Sequence, residues 1–140
     1  MFVVLDTNHY NELANDSSAG RNAQRRIEAS GADLFISIVG VQEIVQGWLA
    51  LINRQKAGSR QVHAYSRFQH SVETVNKLPI LPFDETAAQV FDELRAKRLR
   101  VGTMDLKIAA ICLAHDATLL TRNVGDFRNV PGLQFENWLD

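Results

Sequence analysis

The chain has 140 residues, of which 46% are hydrophobic and 22% are charged, and its formal net charge at pH 7 is −1. This composition is typical of an ordinary globular protein, and the length predicts one domain, residues 1–140, with a sizeable core. The near-zero net charge excludes a general attraction to nucleic acid or membrane, so a phosphate-bearing partner has to be held by local basic groups or by metal ions.

Short apolar segments alternate with helical spacing in the first half of the chain. The first strand is predicted at Phe2–Leu5, before a short helix over Asn8–Ala14 and another that includes Ala23–Ala29. A second strand is predicted at Leu34–Ser37. The helix that follows it carries its apolar residues on one stripe: Val41, Ile44, Val45, Trp48 and Ile52.

The second half of the chain repeats this alternation. Residues 60–76 have helical spacing, LPILPF (78–83) predicts a third extended segment, and Asp84 is a favoured N-cap for the next helix. A helix is predicted from Thr103 to Ala114, a fourth strand at Thr118–Thr121 and a last strand near Leu133–Phe135. This alternation predicts an α/β fold with a parallel sheet covered by helices on both faces.

Acidic residues lie close to the ends of three predicted strands and at the start of one helix. Asp6 directly follows the first strand, Glu43 lies near the start of the helix after the second, and Asp126 lies in the loop after the fourth. Asp105 opens the helix that precedes the fourth strand. Ligands of parallel sheets bind beyond the carboxyl ends of the strands, where the strand order reverses, so these residues are candidates for a single site.

Each of these carboxylates also has a simpler interpretation. Asp6 would be a helix N-cap, Glu43 a solvated helix residue and Asp126 a turn former, while Asp105 would be a first-turn acid stabilised by the helix dipole. Converging carboxylates, however, repel one another and lose hydration, so a cluster is costly unless a cation neutralises it. Oxygen ligands without a histidine or cysteine cluster favour Mg²⁺ or Mn²⁺ over zinc.

The other chemically reactive side chains show neither metal-ligand spacing nor a catalytic pairing. Each histidine is predicted to be an ordinary surface or helix residue: His9, His63, His70 and His115. Cys112 is predicted to be a core residue, and Ser37 a helix cap because no histidine base lies near it in sequence.

The cysteine content and the hydropathy of the sequence indicate the cellular compartment of the protein. A single cysteine excludes an internal disulfide framework and favours a reducing cytoplasm. No basic region followed by a long apolar stretch opens the chain, and no apolar run approaches the roughly 18 residues of a membrane helix. We therefore expect a cytoplasmic protein with no signal peptide and no membrane partner.

Four segments in this order, VVLDTN, QEI, GTMDLKIAA and LLTRNVGDF, resemble the PIN-domain ribonucleases, and among them the compact VapC-type toxins of bacterial toxin–antitoxin pairs. The resemblance spans about residues 2–136 and implies a single three-layer α/β/α sandwich with a central parallel sheet. It further implies a Mg²⁺- or Mn²⁺-dependent endoribonuclease that leaves 5′-phosphate and 3′-hydroxyl ends on RNA. An antitoxin partner and a homodimer are also implied. Apolar residues of the helices within 44–75 would either form the dimer interface or pack internally.

The resemblance also implies roles for the acidic residues. Asp6, Glu43, Asp105 and Asp126 match the acidic quartet of the family. We expect Asp6 and Asp105 to be the main direct metal ligands and Asp126 to bind the same ion or a second one. Glu43 would orient the attacking water or bind the second ion.

Polar and basic residues near the quartet have expected supporting roles. Thr121 and Asn123 match the polar pair that supports the acids, and Asn8 matches the asparagine after the first acid. RNA contacts are expected from three arginines, in order of preference: Arg122, which adjoins the acidic loop, Arg98 and Arg100. The last two belong to a basic stretch, 95–100, whose simpler interpretation is a solvated helix end.

Two other functions compete with the nuclease interpretation. A strand followed by DTN superficially resembles phosphatases that form an aspartyl-phosphate, but those proteins carry D-x-D and position 8 is Asn here. A degenerate PIN domain would be a non-catalytic RNA- or protein-binding module, which the intact quartet disfavours. Metal-dependent cleavage of structured RNA by the pure protein separates the ribonuclease from both.

Overall fold

The computed structural model describes residues Met1–Asp140 and contains five strands and seven helices. The strands are β1 (Phe2–Leu5), β2 (Asp33–Ser37), β3 (Ile80–Leu81), β4 (Thr118–Leu120) and β5 (Phe135–Glu136). The helices are α1 (Thr7–Ala14), α2 (Ser18–Ser30), α3 (Ile38–Arg54), α4 (Val62–Val75), α5 (Glu85–Ala96), α6 (Thr103–Ala114) and α7 (Val124–Phe127), with a 3₁₀ turn at Ser59–Gln61. None of the helices combines the length and apolar character needed to cross a membrane.

Local signals in the sequence account for several helix boundaries. The predicted bounds of α6 are confirmed at both ends. Asp84 is confirmed as the cap of α5, because its Oδ1 accepts a hydrogen bond from the Ala87 N–H at 3.0 Å. Ser37 is confirmed as the cap of α3, since its Oγ accepts from the Gly40 N–H at 2.9 Å.

The last strand begins later than the sequence predicts. Leu133 is not in a strand but in a turn, where its N–H donates to the Val130 carbonyl at 3.4 Å. Gly132 permits this turn with a φ of 77°, a backbone conformation that favours glycine. The side chain of Leu133 packs into the core, and β5 starts at Phe135. The apolar residue that suggested a strand is therefore a core residue of the preceding turn.

The five strands form one parallel sheet in the order β3-β2-β1-β4-β5. The chain moves outward in one direction from β1 through β2 to β3, and then in the other through β4 to β5. The strand order therefore reverses between β1 and β4, which confirms the parallel sheet and defines where a ligand site is expected. The Asp6 N–H donates to the Leu120 carbonyl at 3.1 Å, so the ends of these two strands are fixed side by side.

Helices cover both faces of the sheet and produce two separate cores, as expected for an α/β/α sandwich. Val4 and Leu119 face a core built from α5, α6 and α7, whereas Val3 and Leu5 face a core built from α1 to α4. The alternation follows from the strand pleat, which directs successive side chains to opposite faces. Cys112 is fully buried in the first core, as predicted.

Close contact between α1 and α2 depends on a glycine. A Cβ atom at Gly20 would lie 2.0 Å from the Glu12 carbonyl oxygen, so no other residue fits without a backbone shift. The side chain of Ser17 caps α2 and bonds to Glu12. This packing places α2 beside the segment that follows β5.

Candidate active site

The four predicted acids are brought to the carboxyl edge of the sheet by four different elements. Asp6 lies at the junction of β1 and α1, Asp105 in the first turn of α6, Asp126 in α7 and Glu43 in α3. Their charges act on one another: Asp6 and Asp105 both influence Glu43, and Asp6 and Asp126 both influence Asp105. The structure therefore brings the quartet to one place, beside the reversal point of the strand order.

Asp6 is a helix cap and at the same time a member of this acidic group. Its Oδ1 accepts hydrogen bonds from the backbone N–H of His9 at 2.8 Å and from the His9 ring nitrogen Nδ1 at 3.1 Å. Its Oδ2 makes no hydrogen bond within the protein. The capping interpretation and the active-site interpretation of Asp6 are thus compatible, because they use different oxygens of one carboxylate.

The loop after β4 supports the acids through Thr121 and Asn123. Thr121 is fully buried, and its Oγ1 accepts from the Asn123 N–H at 2.9 Å, which turns the chain toward the acidic group. The Asn123 side-chain Nδ2 then donates to Asp126 Oδ2 at 3.0 Å and to Asp105 Oδ2 at 3.5 Å. One amide group therefore bonds to two carboxylates, and the supporting role of this polar pair stays a prediction.

Burial and mutual repulsion disfavour ionisation in this group. The pKa of Glu43 is raised, chiefly by burial and then by the charges of Asp105 and Asp6. The pKa of Asp105 is also raised, first by burial and then by Asp126 and Asp6. Carboxylates that repel one another in a partly buried position are a common mark of a functional site, since a purely structural arrangement has no reason to collect them.

The residue types fit an oxygen-preferring divalent cation, but the side chains are not closed around one point. Carboxylates without nearby imidazole or thiolate ligands suit Mg²⁺ or Mn²⁺. Cys112 is not a competing ligand, because burial raises the pKa of its thiol to about 12. No group of three or more acidic, histidine or cysteine side chains is gathered tightly enough to hold a metal ion. Metal binding by the four acids therefore stays a prediction.

The other residues predicted for the site make no hydrogen bond or ion pair with the four acids. Asn8 is exposed in the first turn of α1, and its side chain makes no hydrogen bond to the acids. Arg122 is already engaged by Asp140 at 3.2 Å and Glu12 at 3.8 Å, so a phosphate would have to compete for it. Arg98 and Arg100 are exposed in the loop after α5 and form no ion pair. Their proposed contacts with RNA stay predictions.

His9 is a residue that sequence reasoning missed. The prediction of an ordinary surface or helix residue is right about the helix, since His9 lies on α1, but the side chain is fully buried and contacts Asp6. Its other ring nitrogen, Nε2, accepts a hydrogen bond from the Trp138 backbone N–H at 3.2 Å. A histidine three positions after the first acid is the only sequence signal, since the Trp138 partner is far away along the chain.

A cleft beside the acids was also missed. It has a volume of about 650 Å³, lies between α1, α3 and α4, and begins at Thr7 and Glu43. Within it the guanidinium of Arg67 lies 5.4 Å from the centre of the Trp48 ring. No motif marks these residues, because the cleft arises from the packing of three helices.

Comparison with known proteins identifies the family to which this chain belongs. The chain matches the PIN domain family over residues 3–133, and it belongs to this family. Ribonuclease VapC2 of Rickettsia felis is 37% identical over 68 residues, which cover 46% of this chain and 51% of that protein, so the chain spans about half the length of this relative in the match. Toxin FitB of Neisseria gonorrhoeae is 26% identical over 142 residues, with 99% of both chains covered.

A solved structure extends the comparison to the fold. The crystal structure of VapBC2 from Rickettsia felis bound to a promoter DNA fragment contains a chain that superposes with a TM-score of 0.71 at 26% identity. The match covers 99% of each chain. It confirms the prediction of a PIN-like α/β/α fold with a central parallel sheet.

Proposed function

We propose that this protein is a divalent-metal-dependent endoribonuclease that hydrolyses phosphodiester bonds in RNA, and that it is the toxin of a toxin–antitoxin pair. The observation that carries the proposal is the meeting of four carboxylates at the β1–β4 reversal point, where two of them have raised pKa values. Membership of the PIN family and the likeness to a protein named ribonuclease VapC2 support RNA as the substrate.

The chemistry requires charge stabilisation around a phosphodiester. A divalent cation, when bound, lowers the pKa of the attacking water and stabilises charge on the phosphoryl oxygens. Asp6, Asp105 and Asp126 supply the oxygens that would hold it. Asn123 would hold Asp105 and Asp126 together through the side-chain amide that donates to both, and Glu43 would orient the attacking water.

The cleft between α1, α3 and α4 suits a single-stranded stretch of RNA next to the cleaved bond. It begins at Glu43 and carries the cationic Arg67, the exposed His70 and one face of Trp48. Thr7 Oγ1 is buried without a hydrogen-bond partner at the same end of the cleft. Phosphates would pair with Arg67 and unpaired bases would stack on the aromatic or guanidinium planes, as in other complexes with single-stranded RNA.

Partner proteins are expected on the exposed apolar side chains of α3 and α4. Leu49, Leu51, Val62, Tyr65 and Val72 are between 41% and 66% exposed. Apolar exposure on two adjacent helices is typical of an interface. An antitoxin and a second copy of the chain are the two expected occupants. Light scattering of the pure protein, with and without the product of the adjacent upstream gene, tests both.

The proposal is tested by cleavage of structured RNA with pure protein. We expect cleavage with Mg²⁺ or Mn²⁺, none with chelator, and products with 5′-phosphate and 3′-hydroxyl ends. Asp105→Asn should lower the rate by about 10²–10³-fold, the usual cost of losing one group that stabilises transition-state charge.

Asp92→Asn is the matched control, since it removes the same charge from an exposed position on α5 and should cleave as the wild type does. Chelator-resistant cleavage, or products with cyclic phosphate ends, would contradict the proposal. Metal-independent RNA binding without cleavage would identify the non-catalytic binding module instead.

A further inference from the structure

His9 makes hydrogen bonds on both sides of its ring, and these bonds determine where its proton lies. The Trp138 backbone N–H, which can only donate, is 3.2 Å from Nε2. Nε2 must therefore be the acceptor and carry no proton. With Nε2 as the acceptor, the ring hydrogen lies on Nδ1, which donates a hydrogen bond to Asp6 Oδ1 at 3.1 Å.

As a result, one carboxylate oxygen of Asp6 is held by hydrogen bonds and the other is free. Oδ1 receives both donors of His9, the backbone N–H and Nδ1–H. Two donors on the same oxygen restrict rotation of the carboxylate group. Oδ2 has no partner in the protein and remains available.

The segment Asn137–Asp140, which follows β5, is held firmly enough to orient the ring. Trp138 is 5% exposed and Leu139 is 1% exposed. On the α2 side, Arg26 Nη1 donates to the Asn137 carbonyl at 2.8 Å and Asn22 Nδ2 donates to the Leu139 carbonyl at 3.3 Å. These contacts fix the backbone position from which the Trp138 N–H reaches His9.

Arg122 joins the same segment to the loop after β4. Its guanidinium donates to both carboxylate oxygens of Asp140, at 3.2 Å and 3.3 Å. The segment is thereby tied to α2 on one side and to the loop carrying Asn123 on the other. The segment Asn137–Asp140 therefore contacts both His9, which bonds to Asp6, and Arg122, which adjoins Asn123.

We propose that His9 is a positioning residue of the nuclease site: held by the Trp138 N–H, its Nδ1–H fixes Asp6 so that Oδ2 is free to bind the divalent cation. This inference rests on the proposed function. It assigns His9 a role distinct from metal ligation, since both ring nitrogens are already engaged. Removal of a hydrogen-bond partner of a metal ligand typically costs 10–100-fold in metal affinity or activity, and we expect an effect of about that size.

Two substitutions separate positioning from packing. In His9→Asn the side-chain amide nitrogen takes the place of Nδ1, so the bond to Asp6 is kept and the bond from Trp138 is lost. In His9→Gln the longer amide reaches the position of Nε2, so the bond from Trp138 is kept and the donor to Asp6 is lost. His63→Gln is the control, because that histidine is exposed.

The measurements are Mn²⁺ affinity by calorimetry, melting temperature in chelator and the RNA cleavage rate. We expect Mn²⁺ affinity to fall about 10–100-fold in His9→Gln and to remain within about threefold of the wild type in His9→Asn, with His63→Gln unchanged. Nitrogen-15 spectra of the wild-type ring should show the hydrogen on Nδ1.

Several outcomes would overturn the inference. Equal Mn²⁺ affinity in all variants would remove any positioning role. Equal losses in His9→Asn and His9→Gln, in parallel with their melting temperatures, would show that His9 acts only in folding. A hydrogen on Nε2 would contradict the tautomer. A wild type that binds no Mn²⁺ would refute the proposed function together with this inference, whereas a binding wild type with unaffected variants would refute the inference alone.

Discussion

The two faces of the sheet differ in how completely their helices are packed. On the α5–α6 face the core contains 17 buried residues, and α6 buries nearly every side chain of its central turns. On the α1–α4 face the core contains 10 buried residues, and the helices leave a cleft and several exposed apolar side chains. The first face is organised for stability. The second is less fully packed and carries the surfaces that are proposed to bind RNA and partner proteins.

The acidic group lies where these two faces meet. Asp105 and Asp126 come from the well-packed face, and Asp6 and Glu43 from the face with the cleft. The repelling carboxylates are therefore held partly by a rigid helix. The opposite side of the group opens toward the space that substrate is proposed to occupy.

The largest expected contrast between the faces concerns stability. Ile111→Ala removes a fully buried side chain from the α6 core and should lower the free energy of unfolding by about 2–5 kcal/mol. Leu51→Ala on α3 truncates a side chain that is 43% exposed. This substitution should change the free energy of unfolding by less than about 0.5 kcal/mol. Urea denaturation of both variants measures the difference. Similar losses in the two would show that α3 is packed as fully as α6.

A smaller effect is expected for the cleft. Arg67→Gln removes the exposed cation above Trp48 and should raise KM for RNA up to about fivefold, with kcat nearly unchanged, since a single exposed charge contact contributes up to about 1 kcal/mol. Arg54→Gln, at the end of α3 and outside the cleft, is the matched control. Steady-state kinetics at several salt concentrations checks the prediction. Equal KM values for the two variants would place the RNA elsewhere, with Arg98, Arg100 and Arg122 the next residues to test.

The smallest expected effect is a pH dependence of the metal-free protein. The pKa values of Glu43 and Asp105 are raised in the folded state, so the folded protein holds these protons more tightly than the unfolded chain does. This contribution to stability is present below the ordinary carboxylate pKa of about 4 and is lost as pH rises through the raised values. Urea melts in chelator across this range should show a weaker loss in Asp105→Asn than in Asp92→Asn. Identical pH profiles would mean that neither burial nor the neighbouring charges raise the pKa of Asp105.

Local and periodic signals account for what the sequence could predict. The ends of α6 agree with the prediction, and the sheet was predicted because its apolar strands alternate with helices. The acids were recognisable because strand ends in a parallel sheet meet at one edge. Each of these signals lies within a short stretch of chain.

Nonlocal contacts account for what could not be predicted. His9 and Trp138 are separated by 129 residues, and no pattern in either segment indicates that they meet. Arg67 and Trp48 come together through the packing of α4 on α3, a region without a recognisable motif. The late start of β5 has a similar origin. The side chain of Leu133 packs into the core from a turn, so its apolar character does not indicate a strand. In each case the outcome depends on contacts between residues that are not neighbours in the sequence.

The acidic group at the β1–β4 reversal point is proposed to bind a divalent cation. The most direct test of this binding is the Mn²⁺-induced shift in melting temperature of the wild type and Asp6→Asn, at about pH 7.5 and about pH 5. Asn is as good an N-cap as Asp, so α1 should stay intact in the variant.

We expect Mn²⁺ to stabilise the wild type by about 2.7 kcal/mol at 100 times its Kd, and less at the lower pH, where protons compete for the acids. Asp6→Asn should show a much smaller shift at the same Mn²⁺ concentration, whereas Asp92→Asn should match the wild type. Equal shifts in wild type and Asp6→Asn would mean that the ions bind elsewhere than at the acidic group.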